Sequence, residues 1–405
     1  MRRWPVKPQI TGTSMLLGAL LLVFWPACAR PQTCSATWTG NEGNGSWSTA
    51  GNWSPRKVPG AASDVCIPTF TTANGAGLDG SSSTISVHSI QVAEGASLIL
   101  GSGKATIVTS LINDGGLFLY GTTVTSASID MPNPGQISVY GNSVITSAAF
   151  SNPTGIVYVG PGFTLKLTDN PVQLQNGNLS GGNWFVDGVL AIPGDISEIT
   201  SQGTTVTIDN LGAALEDASG KNALATLTSV GPGTALSVTY GGALTVTQGL
   251  SNQGVVNVGS GSGGTLTVNG GYTQTSGATT NFSGGTLSAA SVNVESGSTL
   301  GGSGTVESSV TNNGTVAPQG SLTVTGTYTQ TSAAALTEQF GSTLQVSSSA
   351  SISGALNITI NPKHPPKSGA MYTALTSGSL TGSFTRITAG YTVTTNGNGI
   401  QVTKQ

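Results

Sequence analysis

The densest group of residues that could do chemistry follows Trp184: Asp187, Asp195, Asp209, Glu216 and Asp217. Glycoside hydrolysis uses two positioned carboxylates, and polysaccharide lyases use a base with Ca²⁺ or an Arg. Trp184 is the residue type that stacks on a sugar ring, so Trp184, Asp187, Asp209 and Asp217 are the candidate glycan contacts. The motifs that would turn them into a catalytic centre are missing. There is no adjacent Asp pair, no His-Gly and no Arg-x-Lys constellation. The two histidines, His88 and His364, have no motif around them; the first reads as a surface strand residue and the second as part of a solvated loop. No Gly-x-Ser-x-Gly occurs, Cys and His lack metal-site spacing, and the Gly-x-Gly runs read as turns. The carboxylates read first as scattered turn residues, with a carbohydrate-binding or carbohydrate-cleaving groove as the alternative. No catalytic residue, metal or cofactor is assigned.

Composition sets the frame for these residues. Only 7% of the 405 residues are charged and 59 are glycine, against about 25% charged in ordinary globular proteins. The hydrophobic share is 37% and the mean hydropathy +0.10, too apolar for a disordered linker. The chain is expected to fold and to cover itself with hydroxyl and amide groups. With 13 basic and 16 acidic residues it offers no basic surface for a phosphate backbone, so nucleic acid is not an expected partner. Weak charge also lowers colloidal repulsion and favours self-association.

Residues 1–29 read as a signal segment: Arg2, Arg3 and Lys7, then the apolar run Met15–Trp25, then Ala27-Cys28-Ala29 before the expected cleavage site. That run is too short to span a membrane, and no later stretch is apolar enough to do so. A lipoprotein signal acylated at Cys28 is the alternative. Cys34 and Cys66 then remain as a pair suited to an oxidising compartment, and a disulfide is expected between them.

From about Thr84 the chain repeats short alternating runs closed by Gly or Asn-Gly, such as Leu117-Phe-Leu119-Tyr-Gly121 and Ile137-Ser-Val139-Tyr-Gly141. Period-2 alternation bounded by turn residues predicts strands with one buried face, and almost no helix. Asn113, Asn133 and Asn152 lie at nearly equal intervals, and Tyr272-Thr-Gln-Thr275 recurs as Tyr328-Thr-Gln-Thr331. A period of roughly 20–25 residues predicts stacked coils, with Asn and Gly in left-handed backbone at the corners and Asn ladders along the axis. Tandem β-sandwiches are the competitor, but five of the six tryptophans precede residue 54, which leaves no Trp to repeat in successive cores. The expected architecture is an all-β, right-handed parallel β-helix. It divides into the signal segment (1–29), a disulfide-linked N-terminal cap (30–83), β-helix repeats (84–353) and a β-rich C-terminal cap (354–405). Trp38, Trp47 and Trp53 are expected to form the cap core, with an exposed binding platform as the alternative.

At these residues the chain resembles bacterial haemagglutinin-like and autotransporter-passenger-like surface proteins. The resemblance rests on Trp38-Thr-Gly, Gly45-Ser-Trp47-Ser, Asn52-Trp53-Ser, Pro59-Gly and Asp64-Val near the start. It continues in Leu300-Gly-Gly-Ser-Gly-Thr-Val306 and Val310-Thr-Asn-Asn313-Gly-Thr-Val316 near the end. It implies an exported β-helix used in adhesion or surface architecture, located outside the cell, on its surface or in the periplasm. The expected partners are a glycan or matrix surface and further copies of the chain.

Overall fold

The computed structural model describes residues 33–69, 78–81, 83–132 and 135–405. The expected signal segment with Cys28, and the corner residue Asn133, lie outside the described residues. The chain is an all-β solenoid of parallel strands with about 1% helix and about 14 turns. At a coil spacing of roughly 4.8 Å those turns make a rod of about 65 Å.

Each coil lays one strand on each of three faces. On face 1 the strands Ser97–Leu100, Gly116–Leu119, Gln136–Val139 and Ile156–Val159 stack in parallel register. The row that starts at Leu78 continues through Leu98, Leu117, Ile137, Val157, Trp184, Val206, Leu236 and Val256. Every member of this row is buried. Faces 2 and 3 are often made by one bent strand. Lys104–Asn113 pairs with Thr123–Asp130 on both faces, and its register slips between Ile107 and Ser110 at the corner. Thr279–Val294 runs across all three faces as one strand, bending at Gly284 (φ 79°). Period-2 alternation is what makes this work, since alternate side chains enter the lumen and the intervening ones meet solvent.

The Tyr-Thr-Gln-Thr repeat falls three coils apart: Tyr272 pairs with Val292, Val292 with Val310, and Val310 with Tyr328. Coil length is otherwise uneven. Leu300 pairs with Val316 over a short coil, while the coil between Val157 and Trp184 carries an extra hairpin, Leu174–Gln175 with Asn178–Ser180. Extra residues leave as loops and the stacked rows keep their register. The parallel stacking also passes beyond residue 353, where Ser379–Gly382 and Arg386–Ile387 pair onto the coil below.

The corner asparagines act differently from the expectation. Neither Asn113 nor Asn152 has a positive φ; both are buried, each where a strand ends and a bend begins. The Asn152 carboxamide is buried without a hydrogen-bond partner, whereas Asn113, Asn252 and Asn312 work from inside as amide clamps between coils. Asn312 Nδ2 donates to the Ala335 carbonyl of the next coil at 2.9 Å, and its Oδ1 accepts from Gly314 N–H at 3.0 Å. Asn252 repeats this with Thr279 and Gly254 at 3.0 Å each. Asn113 reaches the Gln136 carbonyl at 3.0 Å. Buried backbone polar groups at the turns need such partners.

Two ends close the rod. At the N-terminal end Trp38, Trp47 and Trp53 are buried and meet edge to face, with centroids 5.0 and 4.8 Å apart. Trp53 Nε1 donates to the Trp47 carbonyl at 2.8 Å, so these rings form a core and not an exposed platform. Cys34 and Cys66 are joined by the expected disulfide, 32 residues apart in sequence. At the other end Met371–Thr376, Gly399–Lys404 and Tyr391–Asn396 form an antiparallel sheet.

Asn312→Ala strands a buried carbonyl and a buried N–H, and is expected to cost about 2–4 kcal/mol. Thr311→Ala, on the exposed side of the same strand, should change stability by less than about 0.5 kcal/mol. Denaturant unfolding of the two variants checks the pair.

Candidate functional site

Alternation along Asn183–Val186 decides the site. Trp184 and Val186 point into the lumen, so Phe185 and Asp187 point out. Trp184 is 2% exposed, packs on Phe150 at 6.4 Å and donates its indole N–H to the Gly181 carbonyl at 2.9 Å. It belongs to the core, which removes it from the candidate glycan contacts. Its neighbour Phe185, 37% exposed, takes the outward place. Sequence alone carries this signal: Trp184 alternates with Val186 two residues on, which fixes which ring is outside.

Outward from Phe185, face 1 continues coil by coil through Thr207, Ser237, Asn257 and Asn281. Asn257 Nδ2 donates to Ser237 Oγ, and Asn281 Nδ2 to Asn257 Oδ1, both at 3.0 Å, a polar ladder along the axis. These side chains floor a groove of about 450 Å³, with Phe185 at one end and Tyr240 on its wall. Tyr240 is 51% exposed and adopts left-handed backbone, φ 47°. Such a conformation costs a non-glycine residue about 1–3 kcal/mol and persists only where the surroundings hold it. Gly261 is one holder, since a Cβ there would stand 2.6 Å from the Tyr240 ring. Asp209 also lines this groove, and a smaller dent of about 260 Å³ is lined by Asp209, Asn210, Tyr240 and Ser262.

Two of the candidate carboxylates meet here. Val186 pairs with Ile208, so Asp187 and Asp209 face each other on adjacent coils. Asp187 Oδ2 accepts from the Tyr158 hydroxyl at 2.8 Å, and Asp209 Oδ1 from Thr239 Oγ1 at 2.5 Å. Burial pushes the Asp187 carboxyl above its usual 3.8, Asp209 adds to the rise, and Tyr158 opposes it. Tyr158 is raised as well, by burial first and then by Asp187. Below Tyr158 the rings of Tyr120 and Tyr140 stack at 5.5 Å, and Tyr140 meets Tyr158 at 5.9 Å. These rings use much of their faces on one another.

Asp217 does not join the pair. It follows face 2, where it caps its own turn by accepting from the Ser219 and Lys221 N–H groups at 2.7 and 2.9 Å. The Lys221 and Ser219 bonds hold its carboxyl below the usual range. Glu216 lies on face 2 as well, at the end of Ala214–Glu216, and Asp195 sits in the loop before Glu198–Thr200. Among the remaining sequence candidates, His88 is on the surface, its Nδ1 2.7 Å from Asp64 Oδ1, and His364 is exposed in the loop after Asn361. Among the described residues no group of three or more His, Cys, Asp or Glu side chains is placed to hold a metal.

Fold and groove together define a class: a parallel β-solenoid with an aromatic-walled, amide- and hydroxyl-floored groove on one lateral face. Comparison with protein-family models and with curated proteins returns no match.

Asp187→Asn tests the strain between the carboxyls. The Asp187 pKa lies above its unfolded value, so its favourable contribution is full below about pH 3.8 and declines as pH rises toward the shifted value. The asparagine keeps the acceptor for Tyr158 and removes the charge. The expected result is a higher melting temperature at neutral pH and a flatter pH dependence in the mildly acidic range.

Proposed function

We propose that the chain is an exported, adhesin-like structural β-solenoid, non-catalytic, that holds glycan in the face 1 groove. One observation carries this reading: two exposed aromatic rings, Phe185 and Tyr240, flank a floor of Thr207, Ser237, Asn257 and Asn281. An aromatic face takes the apolar side of a sugar ring, while hydroxyl and carboxamide groups both donate and accept, as sugar hydroxyls do. No Lys, Arg or His lines the groove, so neutral sugars suit it better than uronic or sulfated ones. The Cys34–Cys66 disulfide favours an oxidising location outside the cytoplasm. The likeness of the two end segments to haemagglutinin-like and passenger-like surface proteins supports the same assignment, and the low charge supports lateral contact between copies.

Polysaccharide cleavage is the second reading, favoured by Asp209 in the groove lining with Asp187 apposed to it on the adjacent coil. The two separate in one experiment. Purified Arg30–Gln405 is tested on a neutral-glycan array and against whole cells, beside a depolymerisation assay on the same polymers. Binding without cleavage is expected. Phe185→Ala and Tyr240→Ala should each weaken binding by about 5- to 30-fold, the loss of an aromatic contact worth about 1–2 kcal/mol. Cleavage that disappears in Asp209→Asn would overturn the non-catalytic reading. Binding that neither aromatic variant alters would remove the groove.

A further inference from the structure

Glu338 is a carboxyl inside an apolar lumen. It sits on Ala335–Gln339 with its side chain inward, fully buried, paired in register with Ile358 of the next coil. In the same strand the other lumen residue is Leu336. Nothing in the stacking of coils calls for an acid here, and Glu338 Oε1 has no hydrogen-bond partner. Its other oxygen, Oε2, accepts from the Tyr372 hydroxyl at 3.3 Å.

Tyr372 is not part of that coil. It belongs to Met371–Thr376, the first strand of the antiparallel C-terminal sheet, which follows an exposed segment holding Pro362, Pro365 and Pro366. The cap meets the last coil on each face: Ser379–Gly382 pairs with Ser349–Ile352, Arg386–Ile387 with Ala355–Thr359, and the antiparallel sheet itself joins through Met371–Thr376. Leu344 pairs with Leu375 and Gln345 with Thr376, and Thr343 Oγ1 donates to the Thr373 carbonyl at 2.7 Å. Phe340 packs on Tyr372 at 4.6 Å and on Tyr391 at 6.1 Å. Glu338 therefore lies under the seam between the last coils and the cap.

We propose that Glu338 is a pH-sensitive latch for the C-terminal cap, residues 367–405: its neutral carboxyl seals the seam, and its ionised form drives the cap off the last coils. The groups that face it are all uncharged at neutral pH. Tyr372 faces it from the cap strand, the Leu344 N–H from the neighbouring strand and Tyr328 from face 3. Tyr391 stands behind Tyr372, and the Lys404 ammonium lies over the Tyr391 ring at 4.7 Å, one side chain further out. With no cation against it, the carboxylate form has only the Tyr372 and Leu344 bonds to offset desolvation, and burial dominates. The carboxyl is raised well above its usual 4.5, so the stabilisation is full in acid below that value and is lost as pH rises through the shifted one. Release bares the upper edges of Thr343–Val346, Ser349–Ile352 and Ala355–Thr359, whose partners on that side all lie in the cap, and leaves an open coil for another chain.

Hydrogen exchange of the full chain tests the latch, with protection factors corrected for intrinsic rates between about pH 5 and pH 9. In the wild type, protection of Met371–Thr376 and Gly399–Lys404 should fall tenfold or more across that range, while Val255–Val258 holds steady. In Glu338→Gln the cap strands should stay protected throughout, and Glu338→Leu should behave alike. An equal fall in wild type and variant overturns the proposal. If Val255–Val258 is unprotected in both variants, meaning they have not folded, the wild type alone decides: a pH-independent cap also overturns it.

Discussion

In a parallel solenoid nearly every backbone N–H and C=O of a strand points along the axis to the coil above or below. A single coil of this chain has no way to satisfy those groups or to hide its inward side chains, and so has no stability of its own. Everything else follows from that axial pairing. It fixes which residues share a row and requires inward positions to be apolar all along the row. Polar corners then need the internal clamps made by Asn113, Asn252 and Asn312. It also creates two costly ends. Three tryptophans and a disulfide close one, and an antiparallel sheet closes the other.

Because rows are fixed from inside, outward side chains can change without disturbing the rod. Face 1 shows the result, passing from tyrosines that stack on each other to Phe185, then to hydroxyls and amides. The acid pair Asp187 and Asp209 arises from the same geometry, since two outward residues in register on adjacent coils must face one another. Function in such a molecule is a property of a row, assembled from residues 20 or more apart in sequence.

The architecture was readable in the sequence because the period-2 pattern and the recurring turns are direct consequences of axial stacking. The tyrosine repeat at 272 and 328 recurs because the two segments occupy the same row three coils apart, with no long loop between them. The site was readable only in part. Asp187 and Asp209 were singled out as acids, but their apposition depends on an insertion-tolerant register that no fixed period gives. Residue type alone makes Trp184 a sugar-stacking candidate, whereas its alternation with Val186 places it in the lumen. Tyr240 carried no signal at all. Its exposure depends on a left-handed backbone and on Gly261 one coil away, which only the fold brings together. Glu338 shares the inward parity of Leu336, so its direction is legible from the alternation, but the cap strand that lies against it is brought there only by the fold.

The central claim is that the groove between Phe185 and Tyr240 is the working surface and the rest of the rod its support. Hydroxyl-radical footprinting with and without a saturating bound polysaccharide tests it directly. The account predicts that oxidation of Phe185 and Tyr240 falls several-fold on binding, while Tyr120 on the same face and Met371 on the cap are unchanged. Protection centred on Tyr120 and Tyr140, or on the cap, with Phe185 and Tyr240 still fully oxidised, would contradict it.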